Sequence, residues 1–164
     1  MSQPKRHTVV DSPYGPLTLV AADDGILCGL YMTEQRHRPP EETFGVRDHS
    51  HFAEAEEQLE AYFAGELKEF TLELRLHGTP FQQSVWEQLR RIPYGETRSY
   101  GDLAEALGNP GASRAVGLAN GKNPIGIIVP CHRVVGASGG LTGYGGGLDR
   151  KKRLLDFESG SALF

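Results

Sequence analysis

A thiol followed at once by an imidazole and a guanidinium is the arrangement in this chain that most directly suggests covalent chemistry. Residues 125–135 read Ile-Gly-Ile-Ile-Val-Pro-Cys-His-Arg-Val-Val, an apolar strand broken by Pro130, with Cys131, His132 and Arg133 behind the break. A thiol attacks carbon as its thiolate, which a nearby cation, a histidine or backbone donors favour. All three are available to Cys131, whose plain alternative is a buried, inert thiol. Cys28 lies in an apolar strand without a polar neighbour and reads as core. Two cysteines without CxxC spacing make neither a disulfide scaffold nor a metal or redox motif, so both are expected as free thiols.

Other chemistries find less support. The glycine-rich stretch 136–147 lacks the G-x-G-x-x-G spacing of a dinucleotide site. The nearest P-loop candidate, Gly117 to Asn123, is one residue short and has Asn where a magnesium-binding Ser or Thr should stand. His49, His51 and Glu54 cluster loosely in a polar loop without a tetrahedral zinc set, and no Gly-x-Ser-x-Gly elbow occurs. Arg150, Lys151, Lys152 and Arg153 form a basic run in the last helix, either a solvated face or a grip on phosphates.

The elements that must hold this thiol divide into two lobes. In the first, residues 1–78, alternation around Thr8–Val10, Leu17–Ala21 and Ile26–Leu30 with intervening turns gives three antiparallel strands. Residues 33–50 have no period and read as a loop. Phe52, Ala55, Leu59, Tyr62 and Phe63 recur at helical spacing up to Gly65, a helix that would cover the sheet. Phe70, Leu72, Leu74 and Leu76 alternate as a further strand. The second lobe, residues 79–164, is mostly helical. Thr79, Pro80 and Gln82 make a capping box for a helix carrying Phe81, Val85, Trp86 and Leu89. Ser99 caps a short helix through Leu107, and after the turn Gly108-Asn109-Pro110-Gly111 a third runs from Ala112 to about Asn120. Two short helices across a glycine turn have the form of a helix-turn-helix. The third helix is made of Ala and Gly with one projecting cation, Arg114, which suits tight packing on a neighbouring helix or pressing into a nucleic-acid groove. The fold class expected is therefore α+β.

Composition bounds the rest. A chain of 164 residues with 38% apolar content suits one modest domain or two small lobes. Mean hydropathy of -0.38, the absence of any run near the roughly 18 apolar residues of a membrane span, and a polar start at Met1–His7 lead to the expectation of a cytoplasmic protein with no membrane partner. The net charge of -4 is segregated: residues 1–78 carry 7 Lys and Arg against 14 Asp and Glu, residues 79–164 carry 10 against 7. A basic half can face phosphates despite the overall sign.

Taken together, Pro130-Cys131-His132-Arg133-Val134, Arg114-Ala115-Val116-Gly117, Asn123-Pro124, Tyr144-Gly145-Gly146 and Leu154-Leu155-Asp156-Phe157-Glu158 resemble the O6-alkylguanine-DNA alkyltransferases, the methylated-DNA-protein-cysteine methyltransferase family, from about Thr79 to Glu158. The resemblance implies that a guanine alkylated on its exocyclic oxygen is flipped from duplex DNA and its alkyl group passed irreversibly to Cys131, so that each molecule reacts once, with no cofactor and no metal. It implies that His132 takes the thiol proton through a water, that Glu158 orients the histidine, and that Asn123 braces both. Tyr100 matches a hydroxyl acting on a ring nitrogen of the leaving guanine, and Gly145 a backbone N–H that meets its oxygen. Arg114 matches a finger filling the gap left by the flipped base. Ser113, Ala115, Gly117 and Tyr144 match the surrounding DNA and substrate contacts, with the helix in the minor groove and the protein monomeric when free. Two other readings stay open: a DNA-binding module without chemistry, and a cysteine hydrolase built on Cys131 and His132. A hydrolase would turn over repeatedly and has no use for an arginine on an Ala/Gly helix.

Overall fold

The computed structural model describes residues 5–137, 140, 144 and 147–160. Its contacts divide the chain into a first unit, Met1–Glu34 with Arg38–Leu76, and a second unit, His77–Phe164 joined by the short segment Gln35–His37.

The first unit is built on strands β1 (Lys5–Val10), β2 (Leu17–Ala22) and β3 (Leu27–Met32), followed by β4 (Val46–Arg47), in the order β3-β2-β1-β4. The two hairpins are antiparallel, with Val10 opposite Leu17 and Leu17 opposite Met32. β4 pairs parallel to β1, so the sheet is mixed. The stretch 33–50 is therefore not a featureless loop. It contains this strand, two single-turn helices and the buried Phe44, which stacks on Tyr31. Side chains on β1 hold it: Arg6 reaches Asp48 at 2.7 Å, His7 Nδ1 meets Gly45 O at 3.0 Å and Thr8 Oγ1 meets His49 Nδ1 at 2.8 Å. Only glycine fits at 45, where φ is 80° and any Cβ would collide with the Lys5 carbonyl. Helix α1 (Ala53–Phe63) adds Ala55, Leu59 and Tyr62 to the core.

The alternating Phe70 to Leu76 stretch does not become a strand. It makes a single bridge, Leu27 to Leu74, and the Thr71 N–H donates instead to the Gln58 side-chain oxygen at 2.9 Å. A side-chain acceptor on α1 has taken the place of a ladder partner for that backbone donor.

In the second unit, α2 (Pro80–Arg90) begins at the expected Thr79–Gln82 capping box and buries Val85, Trp86 and Leu89, while Phe81 stays exposed. A second box, Ser99 with Asp102, starts α3 (Tyr100–Ala106). Gly108, at φ 77°, ends that helix region, and a single turn, Pro110–Ala112, leads into α4 (Ser113–Gly121). The Trp86 indole donates to Ala119 O at 2.9 Å and ties α2 to α4. The apolar run ahead of Cys131 is not a strand: it folds into turns, with Ile127 at φ 69°, and Cys131–Arg133 form a 3-10 turn. Only Val134–Val135 (β6) are extended, pairing parallel with Arg98–Ser99 (β5). That pairing sets the segment after the Cys131–Arg133 turn beside the N-cap of α3. Helix α5 (Leu148–Glu158) closes the unit.

Candidate active site

Asn123 shapes the turn that presents the thiol. Its side-chain N–H donates to Val129 O at 2.8 Å, its carbonyl accepts from Ile125 N at 3.0 Å, and Asn120 donates to Cys131 O at 3.3 Å. Clamping the chain from both sides keeps β-branched Ile127 in a left-handed conformation costing about 1–3 kcal/mol. Cys131 is buried, which pushes its thiol up, while a hydrogen bond with Asn123 and the charge of Lys151 pull the other way.

Behind the thiol runs a buried polar chain. His132 Nε2 lies 2.8 Å from Glu158 Oε2, and Arg133 grips the same carboxylate through Nε at 2.8 Å and Nη2 at 3.0 Å. Arg133 also donates to Ile92 O at 2.7 Å and lies over the Tyr94 ring. Burial alone would raise the Glu158 carboxyl, but His132 and Arg133 outweigh it and hold the group at about 2. Burial lowers the imidazole pKa, against the raising influence of the carboxylate. The contact with Glu158 selects the tautomer of the neutral ring. An ionised carboxylate only accepts, so Nε2 carries the proton and Nδ1 keeps its lone pair. Nδ1 is buried and makes no hydrogen bond to the described residues. The arrangement is a neutral base held in one orientation directly after a thiol.

The predicted residues fall into two groups. Cys131, Asn123 and Tyr144 border one cavity of about 10 Å³ together with Asn120, Gly121 and Gly126, and His132 and Glu158 are joined to each other at 2.8 Å. Tyr100, Ser113, Arg114, Ala115 and Gly117 belong instead to the helix pair. Arg114 and Ala115 are exposed, Ser113 is half-buried, and a Cβ at Gly117 would sit 3.8 Å from the Tyr100 ring, so α4 lies directly against that ring. Gly145 lies outside the described residues.

Four participants escaped sequence reasoning. Arg133 was visible as a residue but nothing local joined it to Glu158, 25 positions on. Asn120 carried no signal of its own. Lys151 was read as one of a basic run, yet it is fully buried while Lys152 and Arg153 are exposed. Burial lowers its ammonium to about 8 against the favourable influence of Cys131. A cation i+3 before the buried Leu154 could have raised suspicion. The fourth, Gln35, lines the Cys131 cavity from the segment assigned to the second unit. Among the described residues no group of three His, Cys, Asp or Glu side chains could hold a metal ion, and His49 is engaged with Thr8 and Glu56.

Against known proteins, residues 80–160 match the family described as 6-O-methylguanine DNA methyltransferase, DNA binding domain, and residues 5–76 match its ribonuclease-like domain. The methylated-DNA-protein-cysteine methyltransferase of Mycobacterium bovis is 59% identical over 156 residues, covering 95% of this chain and 93% of that protein. The protein of the same name from Methanosarcina acetivorans is 52% identical over 152 residues, covering 93% and 97%. The crystal structure of Mycobacterium tuberculosis OGT in complex with DNA superposes with a TM-score of 0.89 at 58% identity, covering 96% of this chain and 95% of that one.

Proposed function

This chain belongs to the 6-O-methylguanine DNA methyltransferase family, and on that premise we propose that Cys131 is the acceptor and that the buried Arg133–Glu158–His132 chain activates it. The protein is a DNA-repair methyltransferase that moves the alkyl group of O6-alkylguanine in DNA to a cysteine of its own. The observation that carries the residue assignment is the 2.8 Å contact between His132 Nε2 and a carboxylate pinned by Arg133, which aims the ring's lone pair from Nδ1.

In the step so assigned, the Cys131 proton passes through a water to His132 Nδ1, and the imidazolium that forms is stabilised by Glu158. Sulfur attacks the alkyl carbon in line with the C–O6 bond; the S–C bond forms as the C–O6 bond breaks. The electron pair leaves on guanine, where the Tyr100 hydroxyl hydrogen-bonds or protonates a ring nitrogen and the Gly145 N–H meets the oxygen. The thioether has no route back to a thiol, so one molecule repairs one base. Asn123 and Lys151 favour the thiolate against burial. No cofactor takes part.

Residues 79–164 form the DNA-binding and alkyl-acceptor domain and residues 1–78 a supporting lobe. The exposed face of α4, with Arg114 and Ala115, enters the minor groove of duplex DNA, Arg114 taking the place of the flipped base. The relative crystallised with DNA supports DNA as the partner. Free Cys28 and Cys131 suit the reducing cytoplasm, where we place the protein, as a monomer when free. No helix of the described residues is long and apolar enough to cross a membrane. Intact-protein mass spectrometry after mixing with duplex O6-methylguanine tests the reading. One methyl group should move to the protein and none to Cys131→Ser; a Cys131→Ser protein that still clears the lesion would refute the acceptor.

A further inference from the structure

Two buried side-chain atoms of the second unit make no hydrogen bond to the described residues, His132 Nδ1 and Asn120 Oδ1. The first is the base assigned to the thiol proton, and the second has no task yet. On the reading that Cys131 accepts the alkyl group, we propose that Asn120 is a specificity-determining residue of the transfer: its Oδ1 accepts a hydrogen bond from the 2-amino group of the alkylated guanine and so selects guanine among purines alkylated at the same oxygen.

The orphan atom stands out against its neighbour. Asn123 uses both ends of its carboxamide, donating to Val129 O and accepting from Ile125 N. Asn120, only 2% exposed, uses one: its Nδ2 donates to Cys131 O at 3.3 Å. That bond holds the carboxamide against the reactive residue, and Asn120 borders the same cavity as Cys131. The thiol is engaged with Asn123 instead. A buried acceptor without a donor is costly and uncommon in a folded chain, so one kept beside a reactive thiol is an acceptor awaiting a ligand.

The chemistry of the substrate names the donor. Guanine alkylated on its exocyclic oxygen has lost the proton of N1, so N1, N3, N7 and the oxygen are acceptors and the 2-amino group is the donor that remains on the base. A cavity of about 10 Å³ has room for one water. A base that replaces such a water with an amine keeps Oδ1 satisfied, whereas a base presenting a C–H there strands the acceptor away from solvent. Hypoxanthine alkylated on the same oxygen differs from the guanine lesion in this group alone.

The test compares single-turnover rates of the parent, Asn120→Leu and Asn120→Asp, at saturating concentrations of duplex DNA bearing O6-methylguanine or O6-methylhypoxanthine. Melting temperature identifies folded variants, and mass spectrometry locates the adduct. In the parent the guanine lesion should react about tenfold faster, the scale of one hydrogen bond gained against one acceptor stranded. Asn120→Leu removes the acceptor and should bring the two rates together, slowing the guanine lesion more; Asn120→Ala carries this arm if the leucine variant does not fold. Asn120→Asp loses the donor to Cys131 O but keeps an acceptor, so both rates should fall while their ratio persists. Equal rates for the two lesions in the parent overturn the proposal, as does a parental ratio retained in the folded variant without an acceptor, the result expected if Asn120 only shapes the turn. A parent protein that gains no methyl on Cys131 would overturn the underlying assignment instead.

Discussion

Cys28 and Cys131 are both buried thiols whose pKa burial raises, but the regions that hold them have opposite characters. Cys28 packs with Val20, Tyr31 and Phe44, and Thr8 and Thr18 are the buried polar residues of the first unit among those described. The second unit buries Asn120, Asn123, His132, Arg133, Lys151 and Glu158, which include every buried His, Arg, Lys, Asp or Glu side chain among the described residues. On the proposed assignment, burial by itself quiets a thiol, and reactivity comes from the polar groups buried with it. Such groups do not stabilise a fold cheaply; a buried ion pair often does no better than apolar packing, while a broken one is costly.

The comparison can be broken most sharply at sulfur. Cys131→Ser should abolish alkyl transfer and Cys28→Ser should leave it intact, read as methyl gained per protein; the reverse pattern would exchange the roles of the two regions. Next in size, Glu158→Gln keeps a side chain of the same shape and removes the charge that orients and stabilises the imidazolium. Transfer should slow by about 10²- to 10⁴-fold in single-turnover assays, with affinity for duplex DNA little changed. Equal loss of binding would mean that Glu158 supports the fold rather than the chemistry. Arg114→Ala should slow repair of duplex DNA by about tenfold through poorer base extrusion while sparing the free base O6-benzylguanine. Equal slowing on both would remove Arg114 from its proposed place.

Stability against pH sharpens the contrast further. Glu158 is lowered from an ordinary 4.5 to about 2, so its contribution is present above 4.5 and is lost as pH falls toward 2. His132, lowered from 6.5, acts in the same direction: the unfolded chain takes up its proton first, and stability declines as pH falls below 6.5. Lys151, lowered from 10.5 to about 8, similarly costs stability as pH drops through that interval. Trp86, the single tryptophan, is buried in the second unit, so its fluorescence reports this loss directly. A flat acid limb down to pH 3 would contradict the ionised Glu158. The smallest effect on transfer is expected in the first unit. Leu59→Ala should cost about 2–5 kcal/mol in unfolding experiments. Its transfer rate, measured on folded protein, should match the parent.

What the sequence made legible follows the range of the interactions involved. The Thr79–Gln82 box is contained in four residues and was readable in full. Cys131 and His132 are adjacent, so their chemistry was visible from type alone. Glu158 entered only through resemblance, because its partners lie 25 and 26 positions away. Lys151 was misleading for the same reason: its neighbours in sequence are solvated, and only the packing of α5 turns it inward. In the first unit, Phe70 to Leu76 had the alternation of a strand, but Gln58 captured a backbone donor that pairing required. β4 had the opposite fate, an exposed two-residue strand too short for period to announce, with Arg6, His7 and Thr8 holding the stretch around it.

The most direct test of the account is residue-resolved mass spectrometry of the protein after exposure to excess O6-methylguanine duplex. The account predicts a single methyl group per molecule, on Cys131, with Cys28 untouched and no further lesion removed once every molecule is modified. Methyl on another residue, or repair continuing beyond one lesion per protein, would contradict it.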